Sequence, residues 1–253
     1  MADASPAVPT ARVRNADPSV LVIGAGGLGC PAVFALGAAG IRRIGIIDDD
    51  RVDASNLHRQ YLHGLASVGE RKVDSLARAL ALRFPDVVVE RHFARFDTAT
   101  AHLMSDYDAT IDGSDNFATK FLANDAAVLG RVPLIHGAAV GLGGQMMTIL
   151  AGGRPCYRCL FEEMPPSGVG PSCAEAGVLG PVPGVIGALQ GAEAARCARG
   201  DLPGLANQII QYDSASMSIR TVRLKPNPMC GVCGPTPAIR KLDPSAYPAP
   251  VCF

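Results

Sequence analysis

The sequence has no excess of charge of either sign: lysine plus arginine and aspartate plus glutamate each number 23, for a formal net charge of zero. No field from the whole chain draws it to nucleic acid or to an anionic bilayer, and no basic run supplies a local one. Residues Met1 to Pro18 contain no apolar stretch of signal-peptide length, and no uninterrupted apolar run is long enough to span a bilayer. There is no internal repeat. These absences predict an unexported, cytoplasmic protein with no nucleic-acid and no membrane partner. At 253 residues it has room for one large α/β domain, or two small ones, with a substantial core.

Of the eight cysteines, four are grouped as Cys156-Tyr-Arg-Cys159 and Cys230-Gly-Val-Cys233, with 70 residues between the two knuckles. Four thiolates presented two by two are the donor set of a closed, tetrahedral zinc site, which here would staple the C-terminal half together. The competing reading is two unrelated pairs of buried or redox thiols. Clustered, metal-spaced cysteines in an unexported chain indicate a reducing compartment. Cys30, Cys173, Cys197 and Cys252 stand outside the knuckles.

The first third spells out a nucleotide-binding unit. Val20 to Ile23 is a short β-branched run that flows into Gly24-Ala-Gly26-Gly27-Leu-Gly29. Cys30 to Gly40 reads as a helix, and Ile44 to Ile47 as a second buried strand ending in Asp48-Asp49-Asp50. Strand, glycine turn, helix, strand and acid make up a mononucleotide-binding βαβ unit. Phosphate oxygens must reach backbone N–H groups there without interference from Cβ atoms, and the helix N-terminus adds favourable partial charge. Asp48 lies 19 residues beyond Gly29, placed to accept hydrogen bonds from ribose hydroxyls. The unit points to a nucleotide and leaves NAD and ATP both open.

Alternation continues downstream. Helical spacing covers Glu70 to Phe84 and Phe117 to Gly130; strands are read at Val87 to Val89, Asp108 to Ile111 and from Leu134. After Gly141 the pattern changes to closely spaced strands, Met146 to Leu150, Ile209 to Tyr212 and Met217 to Leu224, as in an antiparallel section. Phe161 to Pro183 reads as a Gly/Pro-rich loop. Gly184 to Arg199 reads as a helix with an apolar face through Val185, Leu189 and Ala192, and the tail from Pro235 as irregular. The expected fold is α/β and Rossmann-like, a mostly parallel sheet continued by an antiparallel section, with a four-cysteine zinc site.

Charged and amide residues cluster just after strand ends. Asn56, Arg59 and Gln60 follow the acidic strand end, Lys72 opens the next helix, and Asp115 and Asn116 follow a later strand. In an open α/β sheet these positions converge on the ligand. Arg59 and Lys72 suit a phosphate chain and Asp115 suits Mg²⁺, the equipment of nucleotidyl transfer. Alternatively, Lys72 is a solvated helix residue, and Asp112 or Ser114 caps the helix from Phe117. His58 and His63 read as packing or surface histidines.

Taken in order, Gly24-x-Gly-Gly-Leu-Gly29, Asp48 to Asp50, Ser55-Asn-Leu-x-Arg-Gln60, the Lys72 helix, Asp112-x-Ser-Asp-Asn116 and both knuckles resemble the ThiF/MoeB/HesA family, over roughly Val20 to Gly234. These are adenylyltransferases of small ubiquitin-like sulfur carriers. The resemblance implies ATP with Mg²⁺, a structural zinc, a homodimer, a carrier whose Gly-Gly carboxylate attacks the α-phosphate, and a separate sulfur donor such as a cysteine desulfurase or rhodanese. It assigns nucleotide contacts to Gly24, Gly26, Gly27, Gly29, Asp48, Asp50, Asn56, Arg59, Gln60, Lys72, Asp115 and Asn116. Catalysis falls to Arg59, Lys72 and Asp115; Cys173 either takes a covalent role in sulfur transfer or is an ordinary loop cysteine. The zinc ligands are Cys156, Cys159, Cys230 and Cys233.

The family's N-terminal arginine motif has no counterpart between Met1 and Val20, where Arg12 and Arg14 are candidate substitutes, and the sulfur donor is expected to be a separate protein and not a rhodanese-like extension. The acidic run, Ala139 to Gln145 and Ser172 to Gly177 look closer to thiamine-pathway members than to molybdopterin ones. The expected organisation is a segment 1–19, one domain 20–234 (nucleotide half to about 135, carrier and zinc half beyond) and a tail 235–253. Two other functions compete: a nicotinamide-dependent oxidoreductase, and a non-catalytic carrier-binding relative.

Overall fold

The computed structural model describes residues 17–165, 177–201 and 203–248. Five strands come first, β1 (Ser19–Ile23), β2 (Arg43–Ile47), β3 (Val88–His92), β4 (Ala109–Asp112) and β5 (Leu134–Val140), followed by β6 (Gly143–Ile149), β7 (Gln208–Asp213) and β8 (Ser218–Arg223). They form one eight-stranded sheet in the order β3-β2-β1-β4-β5-β6-β7-β8. Pairing is parallel from β3 through β5 and antiparallel from β5 through β8. Because β1 pairs with β2 on one side and β4 on the other, a crevice opens beyond its carboxyl end.

Every residue of β1 is buried, as a strand covered on both faces requires. Val20 and Val22 face one core with helices α1 (Gly29–Ala38), α2 (Lys72–Ala81) and α5 (Pro181–Ala198). Leu21 and Ile23 face the other, with α3 (Phe117–Gly130), the short α4 (Tyr157–Leu160) and three of the knuckle cysteines. No helix among the described residues is long and apolar enough to cross a membrane.

Three sequence expectations need correction. Helix α5 starts at Pro181, not Gly184, with proline in its first turn, where the missing N–H costs nothing. Its buried face is also rotated: Ile186, Gly187, Gln190, Gly191 and Ala194 are inside, whereas Val185 and Leu189 are half-buried and Ala192 is exposed. The reason is backbone approach. A Cβ at Gly187 would strike the Leu28 carbonyl, and one at Gly191 would lie 2.6 Å from the Ala32 carbonyl. Helix α5 therefore meets α1 through its glycines, a contact that apolar periodicity does not register. Strand β6 likewise begins at Gly143, earlier than expected, because Gly143 and Gly144 hide its alternation.

Candidate nucleotide site and four-cysteine centre

The glycine turn sits at the mouth of the crevice. Gly24 has a φ of 94°, open to glycine but strained for other residues, and a Cβ there would lie 2.9 Å from the Gly113 carbonyl. Gly29 opens α1 against the Gly24 carbonyl, so it shapes the turn without facing the cleft. Gly24, Gly26 and Gly27 do line it. Helix α1 has no side-chain cap at its N-terminus, which favours an anion there.

Asp48 does more than the sequence indicates. Its carboxylate accepts from the Ala25 N–H at 2.7 Å and the Asp50 N–H at 2.8 Å, fixing the glycine turn to the end of β2. Burial pushes its pKa up, against the opposing pull of Lys72 and these two N–H groups. His63 braces the same turn from the other side, with Nε2 2.9 Å from the Ala25 carbonyl and Nδ1 2.9 Å from Ser75 Oγ. Burial pushes its pKa down, and because a carbonyl can only accept, Nε2–H is the donor to Ala25.

Lys72 is not a solvated helix residue. Its side chain is 6% exposed and its Nζ donates to Asp50 Oδ2 at 2.7 Å, on the cleft wall. Arg59 and Gln60 line the same wall, and the buried Gln60 Oε1 has no hydrogen-bond partner. An unpaired buried acceptor facing a cleft suits a ligand donor. Asn56 lies off the wall, in the 3-10 turn Ala54–Asn56, where its carbonyl accepts from the Arg59 and Gln60 N–H groups. It shapes the segment that presents those two side chains.

Across the cleft, Asp115 is exposed and lines the wall. Asn116 lines it too, but its side chain caps α3 by accepting from the Thr119 N–H at 2.9 Å. The cap is therefore Asn116, not Asp112 or Ser114. Asp112 is fully buried and accepts from Ser114 Oγ at 2.5 Å and His136 Nδ1 at 2.7 Å. Lys120, inconspicuous in the sequence, reaches under the turn: its Nζ donates to the Ser114 carbonyl at 2.7 Å, the Gly137 carbonyl at 2.8 Å and Asp112 at 3.4 Å. Burial alone would raise the Asp112 pKa. Lys120 and His136 outweigh it and hold the carboxyl well below the usual range.

This cluster ties the Asp115 turn to the middle of β5, at His136 and Gly137. Replacing Lys120 with methionine should leave a buried carboxylate without its cation and lower stability by about 3–5 kcal/mol. Chemical denaturation measures this, and Lys120→Arg should lose less. Arg95 and Phe96, which follow β3, also line the cleft; neither belongs to a motif, so the sequence does not single them out.

The two knuckles converge. Cys156 Sγ lies 3.6 Å from Cys230 Sγ and Cys159 Sγ 3.3 Å from Cys233 Sγ, with all four sulfurs within 4.8 Å of one another. Disulfide sulfurs are only about 2.05 Å apart. A tetrahedron with metal–sulfur bonds of about 2.3 Å has edges of about 3.8 Å, so this donor set fits a closed zinc site. All four sulfurs share one cluster, which sets aside two separate redox pairs.

The sequence profile of the ThiF family matches residues 8–232. The chain belongs to the ThiF family. It is 43% identical over 240 residues to the sulfur carrier protein adenylyltransferase of Thermus thermophilus, covering 92% of this chain and 89% of that one. It is 44% identical over 226 residues to adenylyltransferase and sulfurtransferase MOCS3 of Anopheles gambiae; the match covers 88% of this chain but spans only about half (51%) of that relative. The crystal structure of E. coli MccB superposes with a TM-score of 0.76 at 23% identity, covering 87% of this chain and 66% of the other, a likeness of fold. In this ThiF-family chain, Cys173, Arg12 and Arg14 lie outside the described residues.

Proposed function

We propose that the chain is an ATP-dependent adenylyltransferase acting on the C-terminal Gly-Gly carboxylate of a small ubiquitin-like sulfur-carrier protein. The observation that carries this reading is the convergence of Lys72, Arg59, Gln60 and Asp115 on the glycine turn. A nicotinamide enzyme needs only the turn and the acid. Two cations and an exposed acid around the turn match a triphosphate whose leaving group must be neutralised. The Thermus relative bears the name of this activity.

In the reaction, a carrier carboxylate oxygen bonds to the α-phosphorus as the bond to pyrophosphate breaks, giving carrier acyl-adenylate and pyrophosphate. Carboxylate and triphosphate repel each other, so the protein must hold them together and neutralise charge. The glycine turn and the α1 N-terminus orient the phosphates, and Lys72 and Arg59 offset the charge on the departing pyrophosphate. Asp115 would hold Mg²⁺, which supplies further charge neutralisation. The four knuckle cysteines would hold zinc structurally, with no open coordination position.

Within this reading, residues 20–135 bind the nucleotide, residues 136–234 receive the carrier, a second copy completes a homodimer, and a separate protein donates sulfur. Cys173 would then take the activated carrier covalently. The acidic run Asp48 to Asp50, Ala139 to Gln145 and Ser172 to Gly177 favour a thiamine-type carrier within the class of sulfur carriers. Calorimetry with ATP, NAD and NADP in turn tests the adenylyltransferase reading: ATP binds under the proposal, and tight NAD binding without ATP binding would overturn it.

A further inference from the structure

The stretch after the second knuckle has an irregular, proline-rich sequence, yet residues 235–248 fold back onto the body. The Ile239 N–H donates to the Gly231 carbonyl at 2.8 Å, and Ile239, Leu242 and Tyr247 pack against the core on the α3 side of the sheet. Tyr247 donates its phenol to Asp125 Oδ2 at 2.7 Å. Asp125 is itself held: it is fully buried in α3 and accepts from Arg158, Nε to Oδ1 at 2.8 Å and Nη2 to Oδ2 at 2.8 Å. Arg158 sits inside the first knuckle. The end of the described chain is thus pinned, through a buried carboxylate, to the four-cysteine centre.

What the segment covers is a cavity. Pro244, Tyr247 and Pro248 wall one side of a space that shares Arg95, Phe96 and Thr119 with the nucleotide cleft. The two neighbouring spaces differ in chemistry. Near the glycine turn stand Arg59, Lys72 and the aspartates, suited to phosphates and ribose. In the space under the segment, Phe96, Leu122 and Pro244 stand beside Asp97, Thr98 and Thr119, apolar surface for the flat face of a base and polar groups for its edge.

We propose that segment 241–248 is the outer wall of the base-binding end of the nucleotide cleft, and that Tyr247 is the positioning residue that holds it there. The inference rests on a nucleotide occupying the cleft. The anchor is specific: the phenol has one carboxylate partner, and that partner keeps its bonds to Arg158 when the phenol is lost. Removing the hydroxyl frees the wall without disturbing the phosphate end.

The test compares Tyr247→Phe, which loses only the anchor, and Tyr247→Ala, which also loses the ring, with wild type in the full chain. Calorimetry with AMP reports the base end, and inorganic tripolyphosphate reports the phosphate end alone. Tyr247→Phe should weaken AMP about three- to tenfold, the range for one lost hydrogen bond, with tripolyphosphate unchanged. Tyr247→Ala should weaken AMP further. In steady-state assays KM for ATP should rise at constant kcat. Unchanged AMP affinity in both variants, or equal loss of AMP and tripolyphosphate with a fall in melting temperature, would overturn the proposal and leave the segment a purely structural strap. Wild-type protein that takes NAD and refuses ATP would sink the adenylyltransferase reading but not this one, because AMP is half of NAD and the variants still report on the wall.

Discussion

Asp115→Ala should abolish ATP–pyrophosphate exchange, lowering kcat by at least about 10²-fold, the scale for losing one electrostatic contact to a transition state. The expectation follows from position. Asp115 is exposed on the cleft wall, so its removal leaves no buried group unpaired and the fold should survive. It rides on a turn held beneath by Lys120 and Asp112, and the rest of the cleft should therefore keep its shape. The variant should melt within a degree or two of wild type and still bind the carrier. Near-normal exchange at saturating Mg²⁺ would remove Asp115 from its assigned role.

Cys230→Ser should have the largest effect on stability. An apo site would leave thiolates crowded together, whereas a bound zinc adds its binding energy to folding. Losing one of four ligands should cost on the order of 5 kcal/mol, which for a chain of this size lowers the melting temperature by roughly 10–20 °C. The loss should spread locally, because Tyr157, next to Cys156, donates its N–H to Asn124 of α3 at 2.8 Å. Metal analysis of wild-type protein purified without chelators should find one zinc per chain. A chain without zinc, or a disulfide within either knuckle, would contradict the assignment.

The sequence discloses those parts of the fold and site that depend on local chemistry. The glycine turn is legible because only glycine tolerates the φ of Gly24 and the approach of Gly29 to the Gly24 carbonyl. The knuckles are legible because metal geometry fixes their spacing. Contacts made across the fold are hidden. Lys120 sits on a helix with an ordinary charged-residue spacing, and only tertiary packing shows that it turns inward to Asp112. Gln190 looks like a surface amide, yet it is fully buried and donates to the Asp112 and Ile135 carbonyls. Asp48 stands out as the acid at a strand end, but its bond to Ala25 does not, because hydrogen bonding to a distant backbone N–H leaves no trace in composition. The rotated face of α5 belongs to the same class: glycine against backbone carries no hydrophobic signal.

The most direct test of the central claim is exchange of labelled pyrophosphate into ATP by the wild-type protein. The assay is run with Mg²⁺, with and without a small ubiquitin-like carrier ending in a free Gly-Gly carboxylate. Exchange is expected only when that carrier is present, and none when its terminal carboxylate is blocked as an amide. Exchange without any carrier, or with the blocked carrier, would contradict the claim.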